Sequence, residues 1–367
     1  MDINRLANPG ALTTKKYVPG KSKQEVQREL GLEKIVKMAS NESAIGASEK
    51  AKAALIAIQD QLHVYPDSVS RDLRTKLSER LGCSIDNITV SNGADGVIYN
   101  LGMAIIGDGD EAIIPDITFP LYETITRVMR GIPVKTGMNG FRIDLQSILD
   151  AVTEKTKVIF LCNPNNPTGD AQARDEMRDF LHTVRDDILI VVDEAYIDFA
   201  SSDSNPGCVE LFNGGMDNLF ILRSFSKIYG LAGIRVGYGI GHQDLIALIH
   251  QIKPPFNVSL PGEHAALAAL EDDQFARKTL DEMEQEKSEY YRVLNEMGLT
   301  YVKSHTNFIL IDTGAEAKTV FNEMLKSGII VRPCNGFGLP SCIRVTVGNP
   351  GENREFLTIF KDLMKRL

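Results

Sequence analysis

The chain has 367 residues, of which 40 are Lys or Arg and 49 are Asp or Glu, so its formal net charge is −9. Proteins that bind the phosphates of nucleic acids carry the opposite balance, and the composition therefore argues against nucleic-acid binding. Apolar residues make up 43% and charged residues 24% of the chain. This is an ordinary globular composition, and the length allows two domains or one large domain with an appendage.

Three further sequence features exclude other classes of protein. The longest apolar runs are about five residues, whereas a membrane-spanning helix needs about 20, so we expect no span. Residues 1–16 lack the apolar stretch of a secretory signal peptide. The five cysteines are odd in number and include no CxxC pair, and the six histidines show no metal-binding spacing. This favours reduced thiols in a cytoplasmic protein without a metal site.

Taken in chain order, residues 1–45 are mostly polar and irregular, and they are predicted to form an arm that packs on a smaller domain. Residues 46–255 alternate short apolar runs with amphipathic stretches. The runs resemble strands that are buried on both faces, because they are rich in Ile, Val and Leu without polar alternation. They lie at Glu111–Ile114, Val158–Cys162, Ile188–Val192, Leu219–Leu222 and Val236–Ile240. Strands that alternate with helices predict a large three-layer α/β/α domain with a mainly parallel sheet.

The last third of the chain has a different pattern. Pro261–Met297 contains charges throughout and few helix-breaking residues, and it is predicted to form mostly one long helix. The segments that follow are predicted as three short strands, Asn307–Asp312, Ile329–Arg332 and Ile343–Val347, with helices at about 315–327 and 352–367. This pattern predicts a smaller α+β domain over residues 256–367, with Pro254-Pro255 as the hinge.

Unusual polar segments follow three consecutive predicted strands. Asn163–Gly169 follows the first of these strands, Asp193–Tyr196 follows the second, and Ser224–Lys227 follows the third. In open parallel sheets, ligands bind beyond the carboxyl ends of the strands. We therefore expect an Asn, an Asp, a Tyr and a Lys side chain to converge on one edge of the sheet.

Each of these segments also has a purely structural explanation. Asn163–Gly169 has the composition of a turn, an Asp such as Asp193 often caps a helix, and a lone Lys in a loop is usually solvated. Their occurrence together, in this order, is much more specific than any one of them.

Together the segments suit pyridoxal phosphate. That cofactor needs a Lys that forms a Schiff base, a carboxylate beside the pyridine nitrogen, donors to the ring oxygen, and a phosphate cup. The candidates for these four roles are Lys227, Asp193, Tyr196 with Asn166, and Ser224 with Arg235. Ser91–Asp95, at the start of a predicted helix, offers free N–H groups to a phosphate unless it is a plain helix cap.

The sequence resembles the fold-type I pyridoxal-phosphate-dependent aminotransferases over nearly the whole chain, and most closely the histidinol-phosphate aminotransferase family. Tyr17–Gly20, Pro255–Ser259 and Arg344–Gly348 favour this branch, and other matching segments are Ala39–Glu42, Tyr65–Asp67, Thr118–Tyr122 and Ser304–Phe308. The resemblance implies transamination of L-histidinol phosphate with 2-oxoglutarate, which yields imidazole-acetol phosphate and glutamate, in histidine biosynthesis. It also implies a homodimer with shared active sites.

The same resemblance implies roles for individual residues. Lys227 would carry the cofactor and move the proton, Asp193 would pair with the ring nitrogen, and Tyr196 with Asn166 would bind the ring oxygen. The remaining cofactor contacts would come from Gly93, Ala94, Asp95, Phe119, Ser224 and Arg235, with Tyr65 supplied by the neighbouring subunit. The substrate would be bound by Tyr17, Asn41, Arg332 and Arg344.

Two other activities on this fold remain open, an aromatic amino-acid (Phe or Tyr) aminotransferase and a threonine-phosphate decarboxylase. Arg binds carboxylate and phosphate alike, so Arg332 and Arg344 do not decide between the substrates. Tyr17 favours a phosphate, because its hydroxyl can donate to an extra oxygen, although it equally suits a packing role. A regulator that binds the cofactor without turnover is disfavoured because Lys227 is present.

Overall fold

The computed structural model describes residues 1–16 and 20–367, so Tyr17 and its predicted substrate contact lie outside the described residues. The strands within these ranges are β1 (Val36–Lys37), β2 (Ile88–Ser91), β3 (Glu111–Pro115), β4 (Ile132–Thr136), β5 (Met138–Asn139), β6 (Arg142–Ile143), β7 (Thr156–Cys162), β8 (Leu189–Asp193), β9 (Leu219–Ser224), β10 (Gly237–Ile240), β11 (Thr300–Tyr301), β12 (Phe308–Asp312), β13 (Ile329–Ile330), β14 (Arg332–Pro333) and β15 (Cys342–Thr346).

The helices follow the same chain order. They are α1 (Ile3–Leu6), α2 (Pro9–Leu12), α3 (Lys23–Leu30), α4 (Glu49–Ala57), α5 (Arg71–Leu81), α6 (Gly93–Ile105), α7 (Leu121–Val128), α8 (Leu145–Asp150), α9 (Arg174–Thr183), α10 (Cys208–Asn213), α11 (Gln243–Ile252), α12 (Leu260–Leu270), α13 (Asp273–Glu296), α14 (Ala317–Lys326) and α15 (Pro350–Met364).

The large sheet has the strand order β2-β10-β9-β8-β7-β3-β4. Within it β10 runs antiparallel to both neighbours, and the other pairs are parallel. Both faces are buried: along β7, Ile159 and Leu161 belong to one apolar cluster, and Val158 and Phe160 belong to another. Successive side chains of a strand point to opposite faces, so the two clusters lie on the two sides of the sheet. The prediction of a three-layer α/β/α fold with a mainly parallel sheet is confirmed.

A second, antiparallel sheet has the order β11-β12-β15-β14, and its buried side chains share an apolar cluster with helices α13, α14 and α15. The N-terminal segment reaches this region, because β1 pairs in parallel with β13. The first part of the N-terminal segment instead contacts α7, which packs on the large sheet: Asn8 Nδ2 donates to the carbonyl of Val128 on α7 at 3.1 Å. The exact limits of the arm and of the two domains stay a prediction.

The prediction of one long helix over 261–297 is wrong, because the chain forms α12 and α13 with a break at Glu271–Asp272. The Asp272 carboxylate accepts a hydrogen bond from the Phe275 N–H at 3.3 Å and another from the Ser48 hydroxyl at 2.6 Å. An Asp that caps a helix favours a new start at this point. Three alanines of α12, Ala265, Ala266 and Ala269, lie in the buried cluster of the large sheet, although this helix follows the predicted boundary at residue 255.

No helix in the described ranges is long and apolar enough to cross a membrane. Within those ranges, no group of three His, Cys, Asp or Glu side chains is placed to hold a metal ion. The five cysteines are free thiols, and four of them are buried.

Candidate active site

The polar segments predicted to converge do lie at one edge of the large sheet. β7, β8 and β9 are adjacent and parallel, with Cys162 opposite Asp193 and Asp193 opposite Leu222. The segments that follow these strands therefore leave the sheet side by side. They carry Asn166, Tyr196 and Lys227.

Lys227 is at the centre of this group. Its Nζ atom donates a hydrogen bond to the Asn41 carbonyl at 3.2 Å and lies 5.4 Å from the centroid of the Tyr196 ring. Burial, and after it the positive charge of Arg344, lower the pKa of Lys227 to about 8. About a tenth of Lys227 is therefore uncharged at pH 7, far more than for an ordinary lysine, and the uncharged amine is the form that acts as a nucleophile.

Asp193 ends β8 as a buried carboxylate with two donors. The Tyr122 hydroxyl donates to its Oδ2 atom at 2.6 Å, and the Ala195 N–H donates to Oδ1 at 3.0 Å. Burial raises the pKa of Asp193 to about 6, although both hydrogen bonds act to lower it. Tyr122 is a site residue that was not predicted from the sequence. Its position one helical turn after Phe119, in a segment that matches the family, was the available signal.

Asn41 joins the N-terminal segment to this site. Its Nδ2 donates to the Tyr196 hydroxyl at 2.9 Å, and its carbonyl accepts from both Lys227 and the Asn307 amide. Its N–H donates to the Thr346 hydroxyl at 2.9 Å. The Asn41 backbone has φ 55°, a left-handed conformation that Asn adopts more readily than most residues. Asn41 therefore connects the small sheet to the Lys227 site.

The start of α6 has the features of a phosphate site. Asn92 precedes the helix without a side-chain cap, so the first N–H groups are available to an anion. Gly93 has φ 78°, and a Cβ atom at this position would lie 2.5 Å from a guanidinium nitrogen of Arg235. The Arg235 guanidinium is also 3.5 Å from the Asp95 carboxylate. Only glycine permits this close approach of a cationic side chain to a helix N-terminus.

The other residues that are predicted to bind the cofactor phosphate lie beside the start of α6. Ser224 ends β9 opposite Gly237 of β10. A Cβ atom on Gly237 would lie 2.3 Å from the Ala94 nitrogen, so β10 and the start of α6 are in close contact. Together with Lys227 and Asp193, this cradle of N–H groups and an arginine fits the aldehyde, ring nitrogen and phosphate of pyridoxal phosphate.

Two arginines bring a strong positive charge to the site. Arg332 and Arg344 are direct cross-strand partners in the β14–β15 pair. Arg344 is buried; its guanidinium donates to the Asn166 side chain and to the Ala39 carbonyl, the latter at 2.8 Å, and lies 5.1 Å from the Phe308 ring centroid. These contacts place Arg344 against the segment that follows β7, as the predicted substrate role requires.

Two of the residues that are predicted to contact the cofactor pack against other aromatic rings in the structure. Phe119 is partly buried and packs edge-to-face on Tyr122, with ring centroids 5.7 Å apart. The Tyr65 residue is 77% exposed, and the ring stacks on Phe256 at 4.7 Å. Its described contacts within one chain therefore do not include Lys227 or the α6 cradle.

Comparison with known proteins identifies the family. A family model for class I and II aminotransferases matches residues 33–360. This chain belongs to that family. The aminotransferase is 41% identical over 354 residues to histidinol-phosphate aminotransferase 2 of Carboxydothermus hydrogenoformans, a match that covers 96% of this chain and 98% of the relative. The prediction of an aminotransferase of this branch is confirmed.

Solved structures share the fold of the aminotransferase. A histidinol-phosphate aminotransferase from Sinorhizobium meliloti, in complex with pyridoxal-5'-phosphate, superimposes with a TM-score of 0.89 at 24% identity and covers 98% of both chains. An L-threonine-O-3-phosphate decarboxylase from Porphyromonas gingivalis has a TM-score of 0.80 at 24% identity over 90% of this chain and 100% of that one. The fold is therefore common to transamination and decarboxylation, and the chemistry must be argued from the site.

Proposed function

We propose that this aminotransferase catalyses transamination between L-histidinol phosphate and 2-oxoglutarate, giving imidazole-acetol phosphate and glutamate, in histidine biosynthesis. The observation that carries the substrate is the direct pairing of Arg332 and Arg344 across β14 and β15, next to the Lys227 site. Like charges directly opposite one another destabilise a sheet. A phosphate dianion bound between the two arginines would offset that repulsion. A phosphate also has more oxygens and more negative charge than a carboxylate, so it can accept hydrogen bonds from both guanidinium groups.

Pyridoxal 5'-phosphate is the cofactor, and when bound it supplies an aldehyde and a ring that withdraws electrons from the substrate carbon. Lys227 Nζ would hold the cofactor at its aldehyde and, with its lowered pKa, would accept and return the proton of the substrate α-carbon. Asp193 holds a buried negative charge that favours a protonated ring nitrogen. Tyr196 and Asn166 would bind the ring oxygen, and Phe119 would stack on the ring.

The rest of the site binds the two phosphates. Gly93, Ala94, Asp95, Ser224 and Arg235 form the cup for the cofactor phosphate, supported by the close approach of Arg235 and Gly237 to the start of α6. The substrate contacts are Arg332 and Arg344 with Asn41 and Tyr17. The buried bonds of Asn41 to Tyr196 and Lys227 support its placement beside both ligands.

We further propose that the working unit is a cytoplasmic homodimer in which Tyr65 completes the cofactor site of the partner subunit. The exposure of Tyr65 supports this, because a tyrosine meant for its own chain's site would be expected nearer Lys227. Phe256, which stacks on Tyr65, is itself exposed, as are other large apolar side chains of this chain, and a second copy that covers them would bury apolar surface. In the segment that precedes Tyr65, these are Leu62 and Val64.

One substrate panel tests the proposed function. Purified protein is incubated with histidinol phosphate, phenylalanine or threonine phosphate, each with and without 2-oxoglutarate. We expect glutamate to form fastest from histidinol phosphate and only when 2-oxoglutarate is present. Preference for phenylalanine would replace the proposal by an aromatic aminotransferase. Release of CO2 from threonine phosphate without 2-oxoglutarate would replace it by a decarboxylase.

A further inference from the structure

Tyr122, in the first turn of α7, is fully buried on the face of the large sheet that this helix covers. Its ring stacks on the Phe160 ring, with centroids 5.0 Å apart and planes 6° from parallel, and it meets the Phe119 ring edge-to-face at 5.7 Å. A ring that is packed on two others in a dense interior has little freedom to move. The packing therefore fixes the direction of the Tyr122 hydroxyl, whose oxygen lies 2.6 Å from Asp193 Oδ2.

Two donors from different parts of the fold hold the Asp193 carboxylate. Oδ2 accepts from the Tyr122 hydroxyl, and Oδ1 accepts from the Ala195 N–H at 3.0 Å. Because each bond engages a different oxygen, the carboxylate cannot rotate about its Cβ–Cγ bond without breaking one of them. Each carboxylate oxygen has two acceptor positions, so the group can still accept a hydrogen bond from a ring nitrogen. The carboxylate is therefore oriented before a cofactor binds.

The charged groups around Asp193 do not stabilise its negative charge. Burial and, less strongly, the negative charges of Asp95 and Glu194 raise the pKa of Asp193. Each of these two neighbours is close to an arginine: Arg235 lies 3.5 Å from Asp95, and Arg223 lies 2.8 Å from Glu194. Asp193, by contrast, accepts from one hydroxyl and one backbone N–H among the described residues. Its ionisation therefore depends strongly on these two hydrogen bonds.

The Tyr122 hydroxyl keeps its proton at neutral pH and therefore stays a donor. Burial, and after it the negative charge of Asp193, raise the pKa of Tyr122 well above its usual range. Burial also raises the pKa of the Cys162 thiol, which lies opposite Asp193 on β7 and donates to the Pro164 carbonyl at 3.3 Å. The hydrogen bond from Tyr122 opposes the effect of burial, because it stabilises the ionised form of Asp193 and lowers the pKa of that carboxyl.

We propose that Tyr122 is a positioning residue for the cofactor: its hydroxyl orients the Asp193 carboxylate and keeps it ionised, so that the proton shared with the ring nitrogen stays on the nitrogen. This rests on the proposed function for the placement of Asp193 at the ring nitrogen. Without the hydroxyl, the carboxylate binds a proton more tightly, and the shared proton moves from nitrogen to oxygen. A ring nitrogen without its proton withdraws electrons less strongly from the substrate carbon. Tyr122 therefore affects turnover through Asp193 and leaves substrate binding unchanged.

The experiment compares the wild type with Tyr122→Phe, which removes the hydroxyl and keeps the ring, with Asp193→Asn, and with the double variant. Tyr290→Phe is the matched control. Tyr290 is also fully buried and stacks on a phenylalanine, Phe356, but its hydroxyl donates to the neutral amide oxygen of Asn353, at 3.0 Å. For the cofactor-free proteins we measure the free energy of unfolding between about pH 5 and pH 8. For the holoenzymes we measure kcat and KM for glutamate and for histidinol phosphate, and the nitrogen NMR signal of isotope-labelled pyridoxal 5'-phosphate.

In the cofactor-free protein the pKa of Asp193 is about 6, and it should rise above that value in Tyr122→Phe. A carboxyl with a raised pKa lowers the stability of the fold as the pH rises towards that pKa, so Tyr122→Phe should continue to lose stability above pH 6, where the wild type no longer does. Its unfolding constant relative to the wild type should increase about 10-fold between pH 5 and pH 8, the effect of one hydrogen bond to a charged group. In the Asp193→Asn background, loss of the hydroxyl should have the same effect at every pH.

In the holoenzyme, Tyr122→Phe should move the ring-nitrogen signal at neutral pH towards that of an unprotonated pyridine. The kcat should fall about 10-fold for both substrates, whereas KM should change less than about 2-fold, because no contact to the substrate is removed. Tyr290→Phe should match the wild type in the ring-nitrogen signal and in both kinetic constants.

Three results would overturn the proposal. They are a stability difference between Tyr122→Phe and the wild type that does not vary with pH, a pH-dependent effect that persists in the Asp193→Asn background, and an unchanged ring-nitrogen signal in Tyr122→Phe. If Tyr122→Phe does not fold without cofactor, the ring-nitrogen signal of its holoenzyme decides. A wild type that does not act on histidinol phosphate refutes the proposed function alone, since the unfolding data and the ring-nitrogen signal do not depend on the substrate.

Discussion

Replacing Asp193 by Asn should have opposite effects on activity and on the stability of the cofactor-free protein. Asp193 is 4% exposed, and burial raises the pKa of its carboxyl from 3.8 to about 6. A shift of about two pKa units corresponds to about 3 kcal/mol, which is the cost of ionising this group in the folded chain compared with the unfolded one. Asn has a similar volume and carries no charge. It also keeps both hydrogen bonds, since the Tyr122 hydroxyl can accept as well as donate.

The sign of the pH dependence follows from the raised pKa. Between about pH 4 and pH 6 the folded protein holds a proton on Asp193 that the unfolded chain has released, so the stability of the wild type falls as the pH rises. Above pH 6 Asp193 is ionised in both the folded and the unfolded protein, and the loss of stability no longer changes with pH. The free energy of unfolding of Asp193→Asn, relative to the wild type, should therefore increase by up to about 3 kcal/mol between pH 4 and pH 7.

The assay is urea or thermal unfolding of both cofactor-free proteins at several pH values. Asp187→Asn is the control, because Asp187 is an exposed residue just before the other end of β8, where Arg185 lowers the pKa of the carboxyl. That variant should show no such gain at neutral pH. With cofactor bound, Asp193→Asn should lose at least about 100-fold in turnover, as expected for a main electrostatic partner. A pH-independent stability difference would refute the buried-charge argument, and a loss below 3-fold would refute the catalytic role.

Four other predictions test the site. Lys227→Ala should abolish turnover and the visible absorbance of the Schiff base while cofactor still binds through its phosphate; normal turnover would exclude this lysine. Mixed dimers of Tyr65→Phe and Lys227→Ala chains should be more active than the sum of the parents, provided that Tyr65→Phe is itself impaired and that subunit exchange is verified, because one site then has both intact residues. Arg344→Lys should slow both half-reactions, because an ammonium does not reproduce the guanidinium fork. Tyr17→Phe should raise the KM for histidinol phosphate about 5- to 10-fold and leave the half-reaction with glutamate nearly unchanged. Equal damage to both half-reactions would assign Tyr17 to packing.

Elements whose structure follows from neighbouring residues in the sequence were predicted correctly, and elements that depend on distant residues were not. The uninterrupted apolar runs correctly predicted β3, β7, β8, β9 and β10, because a strand buried on both faces must be apolar on both faces. The break between α12 and α13 was missed. The segment lacks Gly or Pro at that point, and the chain instead turns where the Asp272 carboxylate caps a helix and binds Ser48, a residue distant in sequence.

The active site shows the same division. The sequence by itself determined the type of fold and the edge of the sheet at which Asn166, Asp193 and Lys227 meet, because polar segments that follow adjacent parallel strands leave the sheet together. Only the tertiary structure decided the partners. Tyr122 and Asp193 are 71 positions apart, and Arg344 and Asn166 are 178 apart. A hydrogen bond needs atoms within about 3 Å, and such distances are set by how the helices and the two sheets pack together, which no local pattern contains.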